Sequence, residues 1–245
     1  MRAYVAPLAA LLIVITMSAC SSPVPIALGS APASPSNKIN LSLPMDPSGF
    51  YDFNSWPRAC DLLSDGDLRA VFPQATDIAR VPEDLKLTLL PDFSPFSNGN
   101  GGGGTHTVRG AQCTFTFSLP GIERRAGDRW TGYSLRLEID ATGSREVVRE
   151  NRPKANIPGQ RNEYLGGADC VVSPSLGSTE LSCSSTNLAF SIKDLTGNFS
   201  QDDGTIRFQR GDQITTFTGD QLAQRSDFMT RHILPELVKT ITGKL

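Results

Sequence analysis

The chain is poor in the side chains that most enzyme chemistry needs. Only two histidines, His106 and His232, occur among 245 residues, which leaves few ways to build a Ser-His-Asp site, and no G-x-S-x-G turn is present. Neither is read as catalytic: His106 falls in a glycine-rich insert, and His232 in the last helix. No C-x-x-C spacing exists and no histidine stands near a cysteine pair, so the pattern offers no metal site. Charge of one sign is missing too. Twenty-three Lys plus Arg against 25 Asp plus Glu give no electrostatic reason to bind nucleic acid, and no basic cluster awaits anionic headgroups. GNGGGGTH lacks the Lys and Ser/Thr that end a phosphate-binding loop. NFSQDDG sets Asn198, Ser200 and Asp202 at alternate positions, as in a calcium loop. Its glycine comes one place late at Gly204, however, and Gln209 stands where a bidentate Glu is needed. It reads as a polar turn, and no cofactor is expected. Trp56, Trp130 and Tyr133 flank strands, where aromatics are core or its rim before they are a ligand platform. Asn40 and Asn198 begin formal glycosylation sequons that read as chance matches.

What is present begins with the leader MRAYVAPLAALLIVITMSAC, with Arg2, an apolar run from Val5 to Ile15, and small residues before Cys20. This is the layout of a secretory signal. The run is shorter than a spanning helix, and no second long apolar stretch follows. Met17, Ser18, Ala19 and Cys20 resemble a lipobox, in which only the thiol can be alkylated by a glycerolipid. The resemblance implies cleavage after residue 19, with a diacylglycerol thioether and an acyl amide on Cys20. Two or more acyl chains turn marginal binding into stable anchoring, at about 0.8 kcal/mol per buried CH₂. Removing 19 of the 245 residues leaves 226, enough for one large domain, and shifts the formal charge from −2 to −3 because only Arg2 is lost.

Five cysteines is an odd number for an exported chain. With Cys20 set aside, Cys60, Cys113, Cys170 and Cys183 form an even set in an oxidising compartment. DCVV and ELSCSS read as a hairpin turning at Leu176 and Gly177. Cys170 and Cys183 then stand equally far from the turn, on a non-hydrogen-bonded pair with Cα atoms about 4.5 Å apart, inside disulfide range. Cys60 is left for Cys113, closing a loop of about 50 residues, for which chain entropy gives roughly 4 kcal/mol.

Residues 20 to 55, rich in Ser, Pro, Gly and Ala, read as a flexible tether with a span of roughly 30 to 35 Å. Order is expected over 56–245. CDLLSDGDLRAVFP predicts a helix opened by a capping box of Ser64 and Asp67 and stopped by Pro73. Leu85, Leu87 and Leu89 alternate in a strand. Beyond the insert around SNGNGGGGTHT, Cys113, Phe115 and Phe117 share one face of another. Tyr133, Leu135, Leu137 and Ile139 point inward, opposite Arg136, Glu138 and Asp140 on a solvated face. NLAFSI and TIRFQR follow as strands. A last helix opens at Thr218 or Asp220 and carries Leu222, Phe228, Met229, Ile233, Leu237 and Ile241 as its stripe, with Pro235 kinking or dividing it.

P-R-A-C-D-L-L-S-D-G-D-L with a later C-T-F resembles actinobacterial, mycobacterial-type lipoproteins that share a domain of unknown function. Cys60 to Leu68 and Cys113 to Phe115 carry the resemblance, which spans roughly 56–242. It implies an envelope location and an α+β domain, and no activity. The expectation is therefore a single α+β domain: an antiparallel sheet of about five to seven strands, with the helix after Cys60 and the C-terminal helix on one face. The expected role is that of a non-enzymatic, lipid-anchored binding or interaction module on the outer face of the cell membrane, for an envelope lipid, glycan or protein. Two rivals are a cell-wall hydrolase or transferase using Glu138 and Asp140, and an accessory subunit of an envelope membrane complex.

Overall fold

The computed structural model describes residues 24–45, 49–89, 104–120, 133–150, 155, 158–175, 178–193, 205–218 and 220–245. The segment read as a signal, Cys20, Trp130 and residues 198–204, read as a polar turn, lie outside these residues.

The first strand, β1 (Ile26–Ala27), lies where a coil was expected. Residues 24–45 do not stand clear of the domain as a tether but run along it as a strap. Ile26 and Leu28 are buried, and Ile39, Leu41 and Leu43 are partly buried against the core. The Leu28 and Gly29 amides donate to Gln209 and Val71 carbonyls at 2.8 and 2.9 Å, and Ile39 donates to Lys244 at 2.9 Å. Gly29 is required by close approach, since a Cβ there would lie 1.9 Å from the Ala70 oxygen. Sparse apolar residues suffice because Pro25, Pro32 and Pro35 restrict the unfolded chain and so reduce the entropy lost on docking.

After a short 3-10 turn at Ala59–Asp61 comes α1 (Asp65–Val71). Its capping box is complete: Ser64 accepts from the Asp67 amide at 3.1 Å and Asp67 accepts from the Ser64 amide at 2.8 Å. Leu62, Leu63, Leu68, Val71 and Phe72 are all buried. Then follow β2 (Thr76–Leu89), β3 (Gly104–Ser118) and β4 (Tyr133–Thr142). A short α2 (Arg145–Glu150) precedes β5 (Arg161–Leu165), β6 (Ala168–Ser175), β7 (Ser178–Ser185) and β8 (Leu188–Lys193). These strands form one seven-stranded sheet in the order β2-β3-β4-β8-β7-β6-β5, antiparallel throughout.

TIRFQR does not extend that sheet. As β9 (Ile206–Arg210) it pairs with β10 (Gln213–Phe217) and, in parallel, with β1, making a second sheet of three strands. The last helix divides, as Pro235 allowed, into α3 (Leu222–His232) and α4 (Leu234–Thr242). Neither Thr218 nor Asp220 caps α3. Gln221 holds the cap position without a side-chain bond to the helix, while its side-chain oxygen accepts from the Thr218 amide.

The result is one α+β domain. Strand alternation puts Leu137, Ile192, Leu181 and Val172 in one row across the sheet. Those four side chains are fully buried, as are Ile233, Leu237 and Ile241 of the C-terminal helices. Phe72, Phe117 and Tyr133 meet with ring centroids 5.3 to 5.6 Å apart beneath one end of the sheet. At the other end α4 seats against the β5–β6 turn. Gly166, with φ +53°, has no room for a Cβ, which would lie 2.4 Å from the Lys239 nitrogen. The expected solvated face is polar, carrying Arg136, Glu138 and Lys193.

Candidate functional site

The two disulfides join Cys60 to Cys113 and Cys170 to Cys183. Register explains the second, because Ser175 faces Ser178 and the count outward brings Cys170 opposite Cys183, with Cα atoms 4.0 Å apart. Turn residues 176 and 177 lie outside the described residues. The first bond pins the turn before α1 to the middle of β3.

The carboxylates expected as a rival catalytic pair, Glu138 and Asp140, do share the polar face, but each is already held. Gln112 donates to Glu138 at 2.7 Å, and the Lys193 ammonium lies 3.5 Å from it and 3.4 Å from Glu180. Burial alone would lower the Lys193 pKa. The carboxylates of Glu138, Glu180 and Asp140 outweigh it and hold the amine above its usual range. Asp140 is less solvated than alternation suggests, since a bulge between Ile139 and Ala141 sets it beside Ser191. Burial pushes its carboxyl up to about 6 despite the hydrogen bond from Ser191. Because Ser191 donates to Asp140, the Ser182 hydroxyl 3.0 Å away must donate to Ser191. This chain of hydroxyls satisfies a carboxylate; it does not aim one at a substrate.

The histidines separate. His106 belongs to β3, not to a loop, and its ring stacks on Phe53 at 4.5 Å. His232 ends α3 against Phe228, with Nδ1 3.3 Å from an Arg210 nitrogen. Burial and the cations Arg210 and Arg231 lower its pKa. Trp56 and Tyr133 are core: the Trp56 indole donates to the Tyr51 carbonyl at 2.9 Å, and Tyr133 is fully buried. Among the described residues no three His, Cys, Asp or Glu side chains converge as a metal site.

Sequence reasoning missed two features. The first is a buried ion pair between Lys244 and Asp67 at 2.6 Å, their side chains 1% and 2% exposed. Lys244 also donates to the Asp61 carbonyl at 3.3 Å. Burial would raise the Asp67 pKa, but bonds from Lys244 and Ser64 outweigh it and hold the carboxyl below its ordinary value. The second is an open cleft of about 540 Å³ where α2 overlies the ends of β5, β6 and β7, bordered by Arg145, Arg149, Tyr164, Asp169, Ser184 and Thr186. The only signal in the sequence was the four-residue spacing of the two arginines in REVVRE, which puts both on one helix face. A smaller cleft of about 400 Å³ lies between the strap and the turn before α1, at Asn37, Asp61 and Arg80.

Comparison with protein-family models, curated proteins and solved structures finds no match.

Proposed function

We propose that this chain is a lipid-anchored, extracytoplasmic protein acting as a non-catalytic binding or interaction module against the membrane surface. The observation that carries it is the cysteine arithmetic. Both downstream pairs are closed, so Cys20, the one cysteine in a lipobox-like context, has no intrachain partner left. Two disulfides also favour an oxidising compartment. Among the described residues no helix is long and apolar enough to cross a membrane. An envelope location is also what the resemblance to actinobacterial lipoproteins implies.

The docked strap changes the expected distance from the membrane. Val24 already leads into β1, four residues from Cys20, and four residues span at most about 14 Å even when fully extended. The domain would therefore rest against the headgroups rather than stand off by its own diameter. Val24 lies at the Ile206–Phe217 end of the small sheet. From there the strap passes Glu236, whose carboxylate accepts from the Ala31 amide at 2.8 Å, and then Lys244. Gly167, beside the open cleft, packs on Thr242 near the end of that path. The cleft thus lies nearer the later part of the strap than Val24.

A hydrolase using Glu138 and Asp140 draws support from the raised Asp140 carboxyl. Against it stand the bonds that already occupy both groups, and neither borders a cleft described above. Among the described residues the exposed large apolar side chains are Val24, Met45, Val81, Tyr164 and Ile214, and their exposure does not by itself favour an accessory subunit.

Mass spectrometry of protein purified from membranes tests the reading. Cys20 is expected to carry a diacylglycerol mass, and Cys20→Ser to release the protein into the soluble fraction. An unmodified Cys20 thiol in soluble protein would overturn it.

A further inference from the structure

We infer that the cleft between α2 and the β5–β7 strands is a binding site for an acidic saccharide, a sugar carrying a carboxylate or phosphate. The inference rests on reading the chain as a binding module, and names that module's ligand class. The site's walls divide the recognition between them. Tyr164 is 74% exposed, an unusual state for so large a ring, and it offers a flat amphipathic platform to the face of a pyranose. Arg145 and Arg149 stand one turn apart on α2, and both are exposed. Their guanidinium forks fit a carboxylate or phosphate better than a lysine ammonium would. Ser184 and Thr186 add hydroxyls to the floor.

The floor is also built, not incidental. Thr186 has φ +50°, a left-handed conformation that a β-branched residue rarely adopts and that persists where its surroundings enforce it. They do so here: Asn187 donates to the Gly143 carbonyl at 2.8 Å and to the Tyr51 hydroxyl at 3.0 Å, and Ser185 donates to the Gly167 carbonyl at 3.2 Å. The turn between β7 and β8 is thereby fixed under α2. A volume of about 540 Å³ lies within the usual range of ligand sites. An acyl chain would instead need an enclosed apolar cavity, whereas this cleft is open and polar, its two arginines and its hydroxyls standing beside the carboxylates of Glu146 and Asp169, which a ligand anion must avoid by seating on the Arg145 and Arg149 side. Of the lipid, glycan or protein expected from the sequence, the chemistry selects the glycan.

The test is ligand-observed NMR on the full chain purified in detergent, with glucose 6-phosphate, glucuronic acid, glucose and inorganic phosphate as probes. Either acidic sugar should bind at least tenfold more tightly than glucose and than phosphate alone. Tyr164→Ala, and Arg145→Gln with Arg149→Gln, should each reduce that binding at least tenfold. All three positions are exposed, so circular dichroism should match the parent. Phosphate binding as tightly as sugar phosphate, insensitivity to Tyr164→Ala, or silence with every probe would overturn the inference. The mass of Cys20 reads the anchoring separately, and partners co-purified from mildly solubilised membranes read the broader binding role. Silence with all probes alongside a lipidated Cys20 and a captured partner would remove the cleft assignment alone.

Discussion

Replacing Lys244 with methionine should destabilise the domain by about 3 kcal/mol, a large effect for the penultimate residue of the chain. Methionine keeps the length and apolar stem, so packing is conserved and the charge is the variable. What remains is a carboxylate with 2% of its side chain exposed and its cation gone. Breaking a buried pair from one side costs roughly 3 to 5 kcal/mol. The lower end applies because Ser64 still donates to Asp67 through its amide. Urea unfolding followed by tryptophan fluorescence would read this as a fall in midpoint at unchanged slope. A cycle with Asp67→Asn should show coupling of about 1 to 3 kcal/mol. The pH dependence gives a second readout. The folded Asp67 carboxyl titrates below its unfolded value of about 3.9, so its contribution is complete above that pH and lost as pH falls through the folded value. The gap between parent and Lys244→Met should therefore narrow on acidification below about pH 4. A loss under about 1 kcal/mol at neutral pH, or a gap that widens in acid, would refute the reasoning.

Asp140 should show the opposite sign. Its carboxyl, pushed up to about 6, ionises later in the folded than in the unfolded chain, so stability declines from about pH 4 to pH 6 and stays lower above. Two units correspond to about 3 kcal/mol, an upper figure for a half-buried side chain. Asp140→Asn should match the parent at pH 4 and exceed it at pH 7.5, and parallel stability curves would contradict this. Removing the Cys60–Cys113 bond, with sequence separation 53, should cost more than removing Cys170–Cys183, with separation 13: roughly 4 against 3 kcal/mol by chain entropy. Denaturation of the paired serine variants would show the order, and its reversal would count against the entropic account. Gly29→Ala, which forces a Cβ onto the Ala70 carbonyl, should undock the strap. Hydrogen exchange at the Leu28 and Ile39 amides should accelerate at least tenfold, and unchanged protection would mean the strap is not held there.

The features legible in the sequence obey short-range rules. Ser64 and Asp67 could be paired because a capping box needs only three-residue spacing. Cys170 and Cys183 could be paired because a hairpin transmits register from its turn. Tyr133, Leu135, Leu137 and Ile139 alternate because one face of β4 is core. The illegible features lack such rules. RNEYL, at the sheet edge, shows mostly exposed and half-buried residues, so β5 left little apolar pattern to find. His106 looked mobile beside a run of glycines, yet β2 supplies a partner that extends β3 through it, opposite Leu87. The cleft draws its lining from α2, β5, β6, β7 and the turn after β7, and no local pattern links those segments.

The sequence by itself determined the even set of four cysteines that remains beside Cys20, their pairing, and the amphipathic helices and strands of an α+β domain. Each follows from spacing along the chain. Only the tertiary structure decided that Ile26 and Leu28 dock a Ser/Pro-rich segment onto β9, that Lys244 closes on Asp67, and that Arg145, Arg149 and Tyr164 meet around one cleft. The reason is common to all three: each arrangement joins segments remote in sequence, and the partner surface exists only once the rest of the chain has folded.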